Sequence, residues 1–336
     1  MYALQFKPQD KVPKYKQIVN SVITDIERGV LRNGAQLPSI SEMSEEHYLA
    51  RATVERSYRE LRERGFITSV QGKGYYVEAS NTPKLKILLV FNKLSSYKKT
   101  TYYAFLKALG DRASVDLQIH HYNACTFQEI IAKNLGKYNY YVVMPHFTQD
   151  TDKADYKQVL NSIPAQELVL IDKDVSGLKN KCLAVFQKFD WDVFSALESA
   201  NDLLAKYFRL VLIVPSDGNF PVEIAWGVRS YCQANRKECA VVDRVPEEGV
   251  VPGTAYVMIE TSVLGELVRL VRQTPLVLGQ DVGLISFNET TLKEVMGITV
   301  ITTDFECMGR TTAQLLLERV NTKVHNPFKI IRRGSL

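Results

Sequence analysis

From residue 86 onward the hydropathy pattern switches back and forth between two periods, and this alternation limits the fold more than any other feature of the chain. Short β-rich apolar runs at 86–91, 115–120, 140–144 and 168–171 are separated by amphipathic stretches at 101–110, 127–135 and 156–163. Parallel strands need a crossover of about a dozen residues, usually a helix, so strand and helix in strict alternation predict a helix-flanked parallel sheet. The same arithmetic resumes after a gap. Amphipathic segments at 191–206, 222–234, 263–272 and 311–320 alternate with β-rich runs at 210–214, 240–245, 255–259 and 282–287. Two parallel-sheet lobes are therefore expected.

Upstream of residue 79 the pattern differs. Tyr15, Ile18, Val19, Val22, Ile23 and Ile26 keep a helical period that stops at Gly29. Residues 31–37 carry an Asn33-Gly34 turn, and Pro38-Ser39 opens a second helix running towards His47. A corner at 48–50 leads into a third helix over 51–64. Val54, Tyr58 and Leu61 face inward on it, and Arg51, Thr53, Arg56 and Arg59 are left for solvent or phosphate. Gly65 ends that helix. Residues 66–70 and 75–77 then bracket Gln71-Gly72-Lys73-Gly74 as a hairpin. Three helices and a hairpin in this order form a winged helix-turn-helix. The polar stretch 79–84, with Pro83, reads as a linker. The predicted organisation is thus α/β overall: a winged helix-turn-helix over 1–78, a linker over 79–84, and a two-lobed parallel α/β domain over 85–336.

In a winged helix the N-terminal turn of the third helix enters the major groove and the wing lies along the backbone. The sequence of 12–78 strongly resembles the GntR-type DNA-binding domain. The stretches carrying the resemblance are Pro13-Lys14-Tyr15-Lys16-Gln17-Ile18, Gly34-Ala35-Gln36-Leu37-Pro38-Ser39, Ala50-Arg51-Ala52-Thr53-Val54, and Gly65-Phe66-Ile67 with Gly72-Lys73-Gly74-Tyr75-Tyr76-Val77. The resemblance implies operator contacts from Ser39, Arg51, Thr53 and Arg56, and from Gly72 and Lys73 at the wing tip. Two departures affect base preference: Ser41 and Glu55 stand where many members of the family carry Arg.

The remainder resembles the LacI-type, periplasmic-binding-protein-like sensor. The match is clearest in Gln280-Asp281-Val282-Gly283-Leu284-Ile285-Ser286-Phe287-Asn288-Glu289, in 298–304, and in the helix that follows Met308-Gly309-Arg310. Such a domain implies a cleft at the carboxyl ends of the strands, where open parallel sheets bind ligands. The polar effector-binding candidates there are Asn92, His146, Asp217, Glu260 and Asn288, with Asp190, Trp191 and Trp226 expected to stack on a sugar or gate the cleft. Lys93, Asp172, Tyr102, Tyr103, Phe147 and Phe220 are secondary candidates. Many relatives place Arg three residues before the glycine matching Gly227, whereas this chain has Ile224 there with Glu223 beside it. A reader joined to such a sensor is similar to arabinose-type repressors and to Bacteroidetes sugar-utilisation repressors. It implies a transcriptional repressor released by a monosaccharide, L-fucose or L-arabinose first among them, working on operator DNA as a homodimer. A co-repressor or activator sign, or a non-sugar effector, uses the same parts.

Composition sets the outer bounds. A chain of 336 residues with 46% hydrophobic and 24% charged residues can bury sizeable cores and is too apolar to be disordered. The apolar runs are strand-length, far short of the ~20 residues of a membrane helix, and the N-terminus lacks signal-peptide order, so a cytoplasmic protein is expected. Cys125, Cys182, Cys232, Cys239 and Cys307 are scattered without metal-ligand spacing and read as reduced thiols, with no metal expected. No nucleophile elbow, phosphate-binding loop or zinc-protease motif is present, so neither an enzyme nor a cofactor is expected. A regulator fused to an enzyme is the remote alternative.

Overall fold

The computed structural model describes residues 13–27, 29–78, 84–148, 155–216 and 218–336. The expected linker, apart from Lys84, and the candidate Asp217 lie outside the described residues. The chain divides into two compact units. One holds the residues up to Leu89 with 110–118 and 130–141, and the other holds 90–109, 119–129 and 142–336.

The winged helix falls in the first unit. Helices α1 (Lys14–Glu27), α2 (Ile40–Glu46) and α3 (Arg51–Glu63) accompany strands β1 (Gln36–Leu37), β2 (Ile67–Val70) and β3 (Gly74–Val77). The helical stripe read from the sequence is the core: Ile18, Val19, Val22 and Ile26 pack with Leu37, Met43, Val54, Tyr58, Leu61, Ile67 and Val77. Strands β2 and β3 form the expected hairpin. The structure adds β1, which pairs antiparallel with β3 and makes a three-stranded wing sheet ordered β1-β3-β2. Tyr58 ties α3 to the entry of α2 by donating its hydroxyl to Pro38 O at 2.8 Å.

Past Lys84 the chain runs through β4 (Leu85–Phe91), α4 (Ser96–Leu109), β5 (Ala113–Ile119), α5 (Ala124–Asn134), β6 (Tyr140–Val143), α6 (Tyr156–Ser162), β7 (Leu168–Asp172) and β8 (Leu183–Phe186). It continues through α7 (Phe189–Glu198), α8 (Asn201–Leu204), β9 (Arg209–Ile213), α9 (Glu223–Ala234), β10 (Glu238–Val242), β11 (Thr254–Met258), α10 (Thr261–Arg272), β12 (Val282–Phe287), α11 (Thr291–Val295) and β13 (Thr299–Thr303). It ends in α12 (Phe305–Glu318), β14 (Lys323–His325) and β15 (Phe328–Ile331). Two six-stranded sheets result, ordered β14-β8-β7-β6-β4-β5 and β10-β9-β11-β12-β13-β15.

In the second sheet both faces are covered, which is why its strands read as continuous apolar runs. Leu210 and Leu212 point into a core with Val193, Leu197, Ile224, Val228 and Tyr231 from α7 and α9. Their neighbours Val211 and Ile213 point the other way, against Leu264, Leu267 and Val271 of α10. Two expectations need correction. The sheet is not wholly parallel, because β15 runs antiparallel to β13 as an edge strand. The single helix expected over 191–206 is two, with Ser199 and Ala200 separating α7 from α8. The final segment also serves both sheets: β14 pairs with β8, and the chain then passes Asn326-Pro327 into β15. Asn326 N–H donates to Phe186 O at 2.9 Å and Asp304 N–H to Pro327 O at 3.0 Å, which pins this crossing. All five cysteines are free thiols.

Candidate functional site

On the winged helix, each sequence-predicted contact has a definite place. Ser39 is exposed but already employed as the N-cap of α2: its Oγ accepts from Glu42 N–H at 3.2 Å, and its own N–H donates to Glu42 Oε2 at 2.7 Å. Arg51 is the first residue of α3 and is exposed, with Nε 3.2 Å from Glu55 Oε1 one turn later. Arg56 is exposed with its guanidinium 3.8 Å from the centre of the Tyr15 ring, a cation–π contact that holds it on the α1 side of the helix. Thr53 is partly exposed beside them. At the wing tip Gly72 adopts a positive φ of 73°, which a side chain would resist. The Lys73 carbonyl accepts from Gln36 Nε2 at 2.8 Å and Tyr76 OH at 3.1 Å, so the tip backbone is fixed while the Lys73 side chain stays in solvent.

Two features of this face were missed in the sequence. Tyr48, in the corner between α2 and α3, is 94% exposed and holds a left-handed φ of 51°, a conformation costly for an aromatic residue. The N-cap of α3 is Ala50, whose methyl cannot accept a hydrogen bond, so no side chain caps the first turn and Thr53 N–H turns to Ala50 O at 2.8 Å instead. Ala50 already has the extended φ and ψ of an N-cap (−63° and 133°). Ala50→Ser is therefore expected to stabilise α3 by about 1 kcal/mol, read as slower hydrogen exchange of α3 amides in the full chain. Unchanged exchange would show that another group already satisfies that turn.

The second unit contains a cleft of about 340 Å³ at the carboxyl ends of strands from both sheets. Asn92 follows β4, Asp172 ends β7, Glu260 follows β11 and Asn288 follows β12, and all four line it together with His146. Hydrogen bonds set these ends level: Met144 N–H donates to Val90 O, and His120 N–H to Phe91 O, both at 2.9 Å. Asp172 and Asn288 hold left-handed φ values of 75° and 62° at the two strand ends, where the chain turns sharply at the cleft edge. Asp and Asn are among the side chains that tolerate this region best.

The electrostatics of the cleft centre on Asp172. His146 Nε2 lies 2.9 Å from its Oδ2, and Lys98 Nζ lies 3.9 Å from the same oxygen. Burial holds the His146 ring below its ordinary pKa, so at neutral pH it is a neutral hydrogen-bond donor. Burial opposes ionisation of Asp172 as well. The His146 hydrogen bond and the charges of Lys98 and Lys173 outweigh it and keep the carboxylate charged. Lys98 donates to Asn92 Oδ1 and is buried, which pulls its pKa down to about 8 against the raising effect of Asp172. Lys293, equally buried, donates to Phe287 O at 2.6 Å and Asn288 O at 2.9 Å, and burial lowers it to about 8 too. A lysine whose folded pKa lies below its unfolded value costs stability while charged. That cost is full below pH 8 and is relieved as pH rises towards the ordinary lysine value.

Neither buried lysine was expected from the sequence, although a signal existed for Lys98. On α4 the buried residues are Lys98, Thr101, Phe105 and Leu109, so this lysine occupies a position on the apolar stripe. The cleft lining does not include Asp190, Trp191 or Trp226. Asp190 is exposed with its carboxylate accepting from Trp191 N–H at 2.8 Å, Trp191 stacks on Phe194, and Trp226 is half exposed. Their neighbours Phe189 and Ile224 take the cleft positions instead. Ile224 thus stands where the resemblance suggested an arginine, and the adjacent Glu223 is paired with Lys173 at 3.1 Å. A second cavity shares Tyr122, His146, Asn219, Phe220 and Pro221 with the first and adds Phe147 stacked on Tyr156, with ring centres 4.6 Å apart. Among the described residues no cluster could hold a metal, and no helix is long and apolar enough to cross a membrane.

The reader and the α/β domain each resemble known proteins. Residues 14–77 match the bacterial regulatory proteins of the gntR family. The α/β domain has the fold of LacI-type regulators. The chain aligns with a LacI family transcriptional regulator from Silicibacter pomeroyi at TM-score 0.60 and 14% identity, covering 75% of this chain and 98% of that one. With the transcriptional regulator CelR, solved as a cellobiose complex, the TM-score is 0.59 at 14% identity, covering 89% and 100%. Residues 14–77 thus form a GntR-type reader, and the chain that follows has the fold of a LacI-type α/β domain. Among curated relatives, the transcriptional repressor YtrA of Bacillus subtilis is 28% identical over 96 residues, 29% of this chain and 71% of YtrA. Four further curated regulators are matched over only 14% to 36% of their own lengths.

Proposed function

We propose that the chain represses carbohydrate-utilisation genes by binding operator DNA through its winged helix, and that a small sugar-derived effector held in the cleft releases it. The observation that carries this reading is the cleft itself. Polar side chains from the carboxyl ends of both sheets converge on one cavity, in a fold shared with a regulator solved with cellobiose. On the DNA side, Arg51, Thr53 and Arg56 present donors from the first turns of α3, Lys73 supplies a wing contact, and Ser39 and Tyr48 flank them. The working unit in this reading is a homodimer, because a two-fold operator needs two readers at fixed spacing. L-arabinose and L-fucose are the first neutral sugars to test. No catalytic step is assigned, in keeping with the regulators named above.

The test uses a duplex selected from a random pool by the wild-type chain. Effector is expected to weaken binding to that duplex by roughly tenfold, the usual size of an allosteric coupling. Asn288→Ala and Glu260→Ala should each raise the effector concentration needed for half-release by a similar factor, with ligand-free DNA affinity little changed. Anisotropy titrations read both quantities. If both variants respond like wild type, the strand-end cleft is not the effector site. Effector-enhanced binding would reverse the sign to co-repression.

A further inference from the structure

We propose that the effector carries one anionic group, a sugar phosphate ester or a sugar acid, received by the ammonium groups of Lys98 and Lys293 and the hydroxyl of Ser95. This names the ligand class of the cleft described above and rests on the effector reading.

The argument is a count of donors and charges. Lysine can only donate, and each ammonium has three N–H groups to place. Lys98 is 5% exposed, and among the described residues it donates to Asn92 Oδ1 alone; the Asp172 oxygen at 3.9 Å is an ion-pair partner beyond hydrogen-bond reach. Lys293 is 2% exposed and places two of its three donors on the carbonyls of Phe287 and Asn288. Ser95 Oγ lines the same cleft, buried and without a partner. The walls therefore offer surplus donors. Each carboxylate opposite them already accepts one side-chain hydrogen bond: Asp172 receives His146, and Glu260 Oε2 receives the Ser262 hydroxyl at 3.3 Å.

Charge points the same way. Among the described residues, Lys93, Lys98 and Lys293 line the cavity against the carboxylates of Asp172 and Glu260, with His146 neutral, which leaves one positive charge uncompensated. A neutral sugar would supply acceptors but leave that charge in place. A phosphate or carboxylate supplies acceptor oxygens and neutralises it, through charge-assisted bonds that are roughly twice as strong as neutral ones. The volume of about 340 Å³ accommodates a monosaccharide with one such group.

The test is calorimetry on the full-length chain with matched sets: arabinose against arabinose 5-phosphate, ribose against ribose 5-phosphate, glucose against glucose 6-phosphate and glucuronate, and galactose against galacturonate. At least one phosphate or uronate should bind roughly tenfold more tightly than its neutral parent, and the two arms tell which anionic group is recognised. Lys98→Gln should remove most of that preference. Lys293→Gln gives the same readout if Lys98→Gln folds poorly, and the wild-type comparison needs neither. A neutral sugar binding as tightly as its phosphate and uronate, or a folded lysine variant that keeps the full preference, overturns the inference and leaves the effector reading standing. If neither class binds at millimolar concentration, both are overturned.

Discussion

Gly309→Val is expected to destabilise the α/β domain by about 3 kcal/mol, the upper range for forcing bulk into a packed interior. Helix α12 crosses α4 at this residue so closely that a Cβ built on Gly309 would lie 2.3 Å from Thr101 O, 2.9 Å from Phe105 N and 3.1 Å from Ala104 Cβ. The first two are backbone atoms of α4 and cannot rotate aside, so the helices must part along a shared interface that includes Met308, Thr312 and Phe105. The same helix α4 carries Lys98 into the cleft, so weaker effector binding should accompany the stability loss. Gly265 on α10 is the control, because a Cβ there meets nothing within 4 Å. Gly265→Ala should be neutral or stabilise by up to about 1 kcal/mol through helix propensity. Urea unfolding followed by far-UV circular dichroism reads both changes. Equal midpoints for Gly309→Val and Gly265→Ala would refute the account of the crossing.

How much of this was legible depends on whether the sequence signal was local. The wing, the three helices and the apolar runs of the second sheet were readable because each carries its own period. Leu210 to Ile213 must be apolar at every position when both faces of the strand are covered. Strands β8, β14 and β15 were not readable. They span three or four residues each, Pro327 interrupts the last pair, and their pairing is fixed by partners more than a hundred residues away (β14) or by an edge position (β15).

The cleft was half legible for a related reason. Residues immediately after strands, such as Asn92, Glu260 and Asn288, fall at the sheet edge whatever the helices do. Helical residues do not. Successive residues on a helix are turned about 100° apart, so placing the start of α7 at Phe189 puts Phe189 in the cleft and turns Asp190 and Trp191 to solvent. Ile224 and Trp226 differ in the same way on α9. Lys98 was hidden by the opposite bias: charge on an amphipathic helix normally marks the solvent face, and only its place on the Thr101, Phe105, Leu109 stripe reveals burial.

Arg51→Ala is expected to lower affinity for the selected duplex by at least about tenfold at fixed salt, since a lost base contact costs ~1–3 kcal/mol. Arg51 is 69% exposed in its side chain and starts the recognition helix, so its truncation opens no cavity and should leave folding intact. Its ion pair with Glu55 adds a second, separable expectation. To reach a base edge or phosphate, the guanidinium must leave the Glu55 carboxylate at 3.2 Å, and with α3 in the groove that carboxylate would repel the DNA backbone. The pair is exposed, so breaking it costs little in itself, whereas the repulsion acts on every DNA sequence. Glu55→Gln should therefore strengthen binding to selected and random duplexes alike and steepen the fall of affinity with salt, leaving the margin between the two duplexes unchanged. Arg51→Ala, by contrast, should narrow that margin by weakening the specific complex. Titrations of both duplexes across a salt series distinguish the two variants. Wild-type affinity for the selected duplex in Arg51→Ala would mean that α3 does not read the groove from its first turn. A Glu55→Gln chain with unchanged binding to random DNA would mean that this carboxylate stays clear of the backbone.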